Sequence, residues 1–413
     1  MVDTMKPTEY TLSSETSAEL EQQLRPFLER KINGIPIAEW LMRPERELTP
    51  KDYLPPDIRI AIAAKLENVL ATTGGPEGLK LLEALDGIIH GGGKPAIVIH
   101  GLPTATDIAP IIREAFRQKM FPDVTRPYQE QLEIKDTPDT RKRSGFDAEG
   151  TTYFHVDDAN IGLLFGVRGG VNPRHTEIMT VDDCIDQVSA MMKGDWPDAT
   201  PEYIRTMLMR PIWPIEVAQS SNLGRTAREM TFNKDFDAKR AKEAQALGLT
   251  RTGEDGKTYA PIIYTNPNFH ADEEGSQPYK ILGAPFAQLL ARLNHDHTQV
   301  TGQDDWMLGA LTDTMHSVLK SAPYLRKGPV IKEGDLLVFN NRAIFHSGGG
   351  FVHAKLAGEL STDLPARTIN TLDVQTNPAD QYPVQPADRV AKPIRLGTIG
   401  NAHTVSIDPQ LFR

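Results

Sequence analysis

Pairs of side chains that can bind a metal ion occur three times in this sequence, each time two residues apart. The pairs are His155 and Asp157, His175 and Glu177, and His295 and His297. In an extended segment, residues i and i+2 point to the same side, so each pair could present two ligands to one ion. Imidazole and carboxylate groups both bind divalent metals in proteins. A single pair does not make a site, so the surrounding sequence has to separate the three.

The surroundings favour the first pair. His155 and Asp157 lie between an aromatic, strand-like stretch and the apolar run at 161–167, and the ends of rigid strands are suitable places for a site. The third pair lies at the polar end of a predicted helix, where capping and solvation explain it. The second pair follows a glycine-rich loop and leads into the next helix, so it stays an open alternative.

A third ligand is offered by a distant segment. The sequence GDLLVFNNRAIFH at 334–346 is predicted to form one apolar strand that runs into His346 and then into a glycine loop. Two histidines and one carboxylate on one face of an octahedral metal leave three positions open, as in the facial triad of non-haem Fe(II) oxygenases. We therefore predict a metal site, which is also the catalytic site, formed by His155, Asp157 and His346.

The two motifs together resemble those of Fe(II)/2-oxoglutarate-dependent oxygenases of the taurine dioxygenase and clavaminate synthase type, and above all the branch that hydroxylates free amino acids. Members of that branch carry an H-x-E/D-D-A stretch, which HVDDA at 155–159 matches. They also carry a G-D-L-L-V-x-D-N-R-x-x-x-H strand, which 334–346 matches with Asn340 in place of the usual aspartate. The resemblance is strong over about 150–180 and 331–373 and diffuse elsewhere.

The resemblance implies both a fold and a reaction. The fold is α+β, with a distorted double-stranded β-helix, or jelly roll, flanked by N-terminal and inserted helices. The reaction is a hydroxylation that needs Fe(II) as cofactor and 2-oxoglutarate as co-substrate, consumes O2 and releases succinate and CO2. Halogenases of this type have a small residue in place of the carboxylate ligand, so the presence of Asp157 disfavours halogenation.

The family also holds the far carboxylate of 2-oxoglutarate with an arginine, because a guanidinium can bind a carboxylate through two hydrogen bonds. Arg367, at the start of the predicted strand ARTINTLDV, matches that arginine. It follows His346 at a longer spacing than is usual in the family, which an inserted loop explains. His353 would restore the spacing but lies beyond the strand motif. Thr176 fits the threonine that assists the arginine, whereas Thr180 fits a helix cap.

The alternative pair needs separate comment, because His175 and Glu177 reproduce the literal H-T-E motif of clavaminate synthase. A metal site at this pair would remove Thr176 from its position beside the co-substrate. It would also leave the stretch 155–159 without a function. We therefore favour His155 and Asp157.

The substrate is predicted from acidic side chains, which hold the cationic group of the substrate in the amino-acid branch. Such side chains are Asp158, Asp272, Glu273 and Glu274, although a solvated turn explains the last three equally well. Opposite charge in a water-poor pocket selects amines or guanidines, so we expect a small amine-bearing substrate, above all a free amino acid. Two other functions stay open: a metal-dependent hydrolase in which Zn²⁺ activates water, and a non-catalytic jelly-roll binding protein.

Composition sets the wider limits. The 413 residues carry 45 basic and 55 acidic side chains, a formal net charge of −10, which disfavours nucleic acid or an anionic membrane as the main partner. Cys184 is the only cysteine, so the chain forms no internal disulfide and no cysteine-based zinc site. It has no apolar run of the roughly 18 residues that a membrane span needs. We expect a cytoplasmic protein whose partners are a small-molecule substrate and O2.

The elements that must position these residues are predicted from apolar spacing. Helices are predicted at 54–70, 78–89, 107–118 and 180–194, the last with a capping box formed by Thr180 and Asp183. Strands are predicted at 95–101, 161–167, 334–346 and 366–374, and a polar loop at about 129–150. With no evident linker, we predict one oxygenase domain over 1–413, with a helical N-terminal part at 1–150 and an insertion or lid within 195–330.

Overall fold

The computed structural model of the chain describes residues 7–41, 54–90, 93–104, 107–120, 133–135, 154, 156, 161–168, 176–214, 241, 243–253, 256, 258–266, 269, 276–282, 310–311, 314–315, 317–319, 331–348 and 368–374. The fold is mixed α/β. A first group of helices precedes the central strands: α1 (Ser14–Leu24), α2 (Ile37–Leu41), α3 (Pro56–Thr72), α4 (Gly75–His90) and α5 (Ala109–Met120). A second group follows them: α6 (Val181–Met192) and α7 (Pro201–Met209).

The strands are short and distributed along the chain. In order they are β1 (Thr8–Thr11), β2 (Lys31–Ile32), β3 (Ile35–Pro36), β4 (Ala96–His100), β5 (Glu133–Lys135), β6 (Ile161–Arg168), β7 (Thr176–Thr180), β8 (Trp213–Pro214), β9 (Arg251–Thr252), β10 (Thr258–Ala260), β11 (Ile263–Thr265), β12 (Tyr279–Ile281), β13 (Leu336–Asn340), β14 (Ile344–Gly348) and β15 (Thr368–Val374). Among the described residues, no helix is long and apolar enough to cross a membrane.

The helices predicted at 54–70, 78–89, 107–118 and 180–194 are confirmed, and two of their starts have local causes. The helix predicted to end near His295 lies outside the described residues. α3 begins with Pro56, whose missing N–H leaves no hydrogen bond unmade in the first turn. α6 begins with the predicted capping box: the N–H of Asp183 donates to the Thr180 hydroxyl at 3.1 Å, and the N–H of Thr180 donates to the Asp183 carboxylate at 3.2 Å. The capping box fixes the point at which α6 leaves β7.

Six strands form the main sheet, in the order β1-β4-β13-β6-β15-β5. β1 is parallel to β4, and all other neighbours are antiparallel. The first residue of β6, Ile161, pairs with Asn340 at the end of β13. β6 follows the stretch that contains His155, and β15, which follows Arg367, lies on its other side. The main sheet therefore gathers strands from the three segments predicted to form the site.

Alternate side chains of the main sheet enter two different cores. On one face, Ile99, Phe165 and Val338 pack with apolar residues of the first helix group. The other face packs against the small sheet, the antiparallel pair β7 and β14. This inter-sheet cluster consists of Ala96, Val98, Ile178, Ile331, Leu337, Phe339 and Ile344. The order of layers is therefore helices, main sheet, small sheet.

The outward face of the small sheet packs against the second helix group. The outer cluster between them includes Met179 and Phe345 from the strands and Val188 from α6. It also includes Phe154 and Val156, which lie outside the helices and strands. Because side chains alternate along a strand, Phe345 faces this outer cluster whereas its neighbours Ile344 and His346 face the main sheet.

The segment 334–346 is two strands, so the sequence-based prediction of a single strand was wrong. β13 belongs to the main sheet and β14 to the small sheet, with a turn between them. The cause is Asn340: its side-chain oxygen accepts a hydrogen bond from the N–H of Arg342 at 2.9 Å, and its carbonyl accepts one from the N–H of Ala343 at 3.0 Å. Such local bonds reverse the chain direction.

The loop predicted at about 129–150 was also partly wrong, because it contains β5. This three-residue strand pairs with the first residues of β15 at the edge of the main sheet. Its sequence, Glu133-Ile134-Lys135, has a single apolar side chain, which is too short a pattern to indicate a strand. The rest of that stretch lies outside the described residues.

The region 195–330, predicted to contain an insertion or lid, includes α7 and the strands β8 to β12. The strands form two small antiparallel sheets, β8-β10-β9 and β11-β12. A buried ion pair joins this region to the turn that precedes β14: the Arg342 guanidinium lies 3.4 Å from the Glu243 carboxylate, and both side chains are almost fully buried.

Candidate active site

His346 lies in the middle of β14, opposite Ile178 of β7. Its side chain is 7% exposed, and its ring contacts the ring of Phe339 in the main sheet, with 4.7 Å between the ring centroids. An imidazole at this position is held between two sheets, away from the bulk solvent. This is the one residue of the predicted metal triad that falls within the described part of the chain.

The start of the motif at 334–346 anchors β13 to its neighbours. Gly334 has a φ of +79°, which favours glycine, in the turn before the strand. Asp335 is buried and accepts a hydrogen bond from the N–H of Lys332 at 2.8 Å; its carboxylate also lies 2.8 Å from Nδ1 of His100. Gly334 and Asp335 thus set the register of the strand that leads to His346.

Asn340 stands where the resembled motif has an aspartate, and its side chain makes a hydrogen bond that an aspartate could not make. Besides accepting from the Arg342 N–H, its side-chain amide donates a hydrogen bond to the carbonyl of Ile88 in the last turn of α4, at 2.9 Å. An ionised aspartate can only accept hydrogen bonds, so it could not make the contact with Ile88. The amide therefore fixes the turn and joins it to the first helix group.

The residues on either side of His155 are buried in the outer cluster, which β14 also enters. Phe154 and Val156 are buried in the outer cluster together with Phe345, the neighbour of His346. The N–H of Phe154 also donates to the carbonyl of Leu319 at 3.1 Å. The segment around His155 and the strand with His346 therefore contribute to the same cluster.

Thr176, the predicted helper in co-substrate binding, is buried in β7 opposite Gly348. By strand alternation Thr176 is on the same face of the small sheet as Ile178 and His346. Glu177, from the alternative metal pair, pairs with Ser347 and is on the opposite face, with Met179. The structure thus brings Thr176 and His346 to one face and places Glu177 on the other.

Most of the other predicted site residues lie outside the described residues. They are His155, Asp157, Asp158, His175, Asp272, Glu273, Glu274, His295, His297, His353 and Arg367. For Arg367, the next residue in the chain is described: Thr368 begins β15 and pairs with Arg168 at the end of β6. β6 ends at Arg168, and the next strand along the chain is β7, which begins at Thr176. β15 therefore starts beside the residue at which the chain leaves β6 for β7.

The donor chemistry of the predicted triad fits Fe(II). Two imidazoles and one carboxylate are ligands that iron accepts, and His346 is buried on the face shared with Thr176. Within the described ranges, no three histidine, cysteine, aspartate or glutamate side chains are grouped as a metal site. Cys184 does not compete as a ligand, because burial raises the pKa of its thiol to about 12 and keeps it protonated.

Sequence reasoning missed the contacts that hold His346. Phe339 was recognised only as an apolar strand residue, and Gly162 only as part of an apolar run. A Cβ on Gly162 would lie 2.3 Å from the Phe339 ring, so the glycine leaves the space that this ring occupies. The only signal in the sequence was a glycine inside a strand pattern, which indicates a close approach without saying of what.

The similarity of this chain to known proteins is confined to solved structures at low sequence identity. No protein-family model matches the sequence, and no curated protein matches it significantly. A crystal structure of the non-heme iron oxygenase OrfP in complex with Fe, succinate and (3S)-hydroxy-L-Arg aligns with 89% of this chain and 94% of its own, at 14% identity and a TM-score of 0.47. OrfP with Fe and alpha-ketoglutaric acid aligns over the same shares at 12% identity and a TM-score of 0.45. TM-scores below 0.5 do not establish a shared fold, so the function of this chain has to be inferred from its own residues.

Proposed function

We propose that this protein is an Fe(II)- and 2-oxoglutarate-dependent oxygenase in which His155, Asp157 and His346 hold the iron. The observation that carries the proposal is the packing of Phe154, Val156 and Phe345 in one cluster. These residues flank the two histidine motifs, so the segments that supply the predicted ligands enter the same apolar core although they are far apart in sequence. His346 itself faces the space between the sheets.

The proposed core is a distorted jelly roll. The order β5-β15-β6-β13 in the main sheet, with only antiparallel pairs, supports it. So does the passage of the chain from β13 to β14, which carries it from one stacked sheet to the other. In a double-sheet jelly roll, consecutive strands cross between the sheets in this manner.

Co-substrate binding is assigned to Arg367 and Thr176. The start of β15 beside Arg168, and the position of Thr176 on the face of His346, support this assignment. A guanidinium at the strand start would bind the far carboxylate of 2-oxoglutarate through two hydrogen bonds, with the threonine hydroxyl as a third donor. The other end of 2-oxoglutarate would then be directed towards the metal ligands.

The chain itself would contribute ligands, orientation and exclusion of water. When bound, Fe(II) and 2-oxoglutarate would supply the activation of O2, with one oxygen atom going to succinate as CO2 leaves and the other to the hydroxyl group of the product. The apolar residues of the inter-sheet cluster, all buried, surround the face of His346 and limit the access of water.

The proposed substrate is a free amino acid or small amine with a cationic group. The acidic side chains at Asp158, Asp272, Glu273 and Glu274 motivate this choice, together with the match of 155–159 to the amino-acid branch. Losing a desolvated partner of the opposite charge costs roughly 2–5 kcal/mol. Neutral analogues should therefore be poor substrates.

The test is a screen for succinate release with Fe(II), 2-oxoglutarate and a panel of basic amino acids, their amides and their neutral isosteres. We expect succinate and a product one oxygen atom heavier for at least one basic amino acid, and little turnover of its neutral isostere. Turnover of an uncharged substrate with all basic amino acids inert would refute the substrate class alone. Metal-dependent hydrolysis without any use of 2-oxoglutarate would refute the oxygenase.

The predictions of a cytoplasmic location, of a single domain over 1–413 with its parts at 1–150 and 195–330, and of a small molecule and O2 as partners stay predictions. One observation bears on the domain limits: β1 and β4, from the N-terminal part, pair within the same sheet as β13 and β6. A single folding unit is the simplest arrangement that allows this pairing.

A further inference from the structure

The ring of Phe339, in the main sheet, contacts the imidazole ring of His346. The two ring centroids lie 4.7 Å apart with 54° between the ring planes, a separation and tilt typical of favourable aromatic pairs. Phe339 is 1% exposed, and the contact crosses from one sheet to the other. The imidazole of His346 therefore has a rigid, flat neighbour on one side.

Gly162 makes this arrangement possible. It pairs with Phe339 across β6 and β13, and a Cβ at this position would lie 2.3 to 2.8 Å from three atoms of the ring. Any other residue would push the ring away from the backbone of β6. Because the ring is confined by Gly162 on one side and by the inter-sheet cluster around it, its position is fixed within narrow limits.

We propose that Phe339, seated over Gly162, is the positioning residue that fixes the orientation of the His346 imidazole for metal binding. This inference rests on the proposed function, because it takes His346 to be a ligand. A ligand ring that can rotate must lose that freedom when metal binds, and residues that hold metal ligands in place typically account for tenfold to hundredfold in metal affinity. Here an aromatic ring would restrict the orientation by direct packing.

The packing argument separates Phe339 from the other buried phenylalanines nearby. Phe165 lies in β6 and is equally buried, but it faces the first helix group. A leucine at either position removes an aromatic ring from the main sheet and leaves a similar cavity. Of these two changes, only the one at position 339 removes a ring that contacts His346, so Phe165→Leu is a matched control for general loss of packing.

The experiment measures Co(II) binding to the purified full-length chain, with Co(II) as the probe because its visible absorption reports ligand geometry. Phe339→Leu should weaken Co(II) binding roughly tenfold and change the absorption spectrum. Phe165→Leu should bind Co(II) as the wild type does, at a comparable loss of thermal stability. Gly162→Ala, which keeps the Phe339 ring but displaces it, should also weaken binding and alter the spectrum.

A double variant tests whether the two positions act through the same ring. In Gly162→Ala combined with Phe339→Leu, the smaller side chain leaves room for the added methyl group. The fold loss of Co(II) affinity in the double variant should therefore be smaller than the product of the fold losses in the two single variants. Independent effects of the two changes would contradict a shared mechanism.

His346→Ala distinguishes failure of this inference from failure of the proposed function. If His346→Ala abolishes Co(II) binding while Phe339→Leu and Phe165→Leu both bind like the wild type, the positioning by Phe339 is refuted and the metal site stands. If His346→Ala binds Co(II) as well as the wild type, the metal site itself is refuted, and the inference falls with it.

Discussion

His346 shows how single residues around a motif determine the environment of one imidazole. Gly334 and Asp335 set the register of β13, and Asn340 forms the turn that leads the chain into the small sheet. Phe339, in the main sheet, contacts the imidazole ring of His346. These residues lie within thirteen positions of one another, yet they act through different parts of the fold. These contacts together determine where the motif at 334–346 places its last residue.

Thr176 is a second single residue whose function can be tested against a neighbour. Thr176→Val removes only a hydroxyl and should weaken 2-oxoglutarate binding roughly twofold to tenfold, the equivalent of about 0.5–1.5 kcal/mol for one hydrogen bond. Arg367→Ala should weaken it more, since a hydrogen bond to a charged group is worth about 1.5–3 kcal/mol. Isothermal titration of the metal-loaded protein measures both.

Thr180→Val is the control for that measurement. Thr180 lies in the same strand as Thr176, but its hydroxyl caps α6, so its loss should lower the stability of the protein by about 1 kcal/mol without changing 2-oxoglutarate affinity. Equal effects of the two valine substitutions on 2-oxoglutarate binding would contradict the assignment of Thr176.

For single residues, the capping box at Thr180 is confirmed. The functions assigned to His346 and Thr176 from residue type and spacing stay predictions. The Gly162–Phe339 contact could not be predicted, because it depends on which residues of two separate strands come to lie opposite each other. That register follows from pairing in three dimensions and leaves no local pattern.

At the scale of the elements, the backbone of β6 at Gly166 lies very close to the backbone of the turn before β13. The N–H of Gly166 donates to the carbonyl of Asp335, and the N–H of Gly334 donates to the carbonyl of Gly166, both at 2.9 Å. A Cβ on Gly166 would lie 1.9 Å from the carbonyl oxygen of Lys332. The two strands can therefore approach only because this position has no side chain.

Gly166→Ala should consequently destabilise the protein by about 1–3 kcal/mol or more, since the clashing atoms belong to the backbone and cannot rotate away. The unfolding midpoint in urea measures this. Gly194→Ala is the control: a Cβ there meets nothing within 4 Å, so the change should stay within about ±0.5 kcal/mol. If both variants unfold at the wild-type midpoint, the close approach at Gly166 is refuted.

The helices were predictable from sequence, whereas the division of strands between sheets was not. Both α3 and α6 have apolar spacing, and their starts depend on residues within one turn: a proline in α3 and a capping box in α6. The segment 334–346 is almost continuously apolar, and such a run does not reveal whether the chain crosses from one sheet to the next. The side-chain bonds of Asn340 decide this, and one of them goes to Ile88 in a distant helix.

At the scale of the whole molecule, the described residues include a lysine whose burial makes its charged form unfavourable. Lys280 in β12 is fully buried, and burial lowers the pKa of its ammonium group from 10.5 to about 7. Because the folded-state pKa lies below that of the unfolded chain, the unfolded chain binds more protons between about pH 7 and 10.5. The contribution of Lys280 therefore opposes folding below pH 7 and becomes less unfavourable as the pH rises through this window.

Lys280→Met tests that contribution. The measured quantity is the difference in the free energy of unfolding between this variant and the wild type. It should change by a few kcal/mol between about pH 7 and pH 10, on the order of 1.4 kcal/mol for each pKa unit. The wild type should gain stability relative to the variant as the pH rises. Lys80→Met, at an exposed position on α4, should leave the shape of the stability curve unchanged. A constant difference between Lys280→Met and the wild type across this pH range would refute the buried, titrating lysine.

The most direct test of the proposed oxygenase is the retention of radiolabelled 2-oxoglutarate in anaerobic equilibrium dialysis, with and without Fe(II). We predict that the wild-type protein and His295→Ala retain 2-oxoglutarate tightly only when Fe(II) is present. His346→Ala, His155→Ala and Asp157→Ala should lose this metal-dependent retention. Retention that is absent in the wild type, or that persists in His346→Ala, would contradict a site in which the iron and the co-substrate are held together.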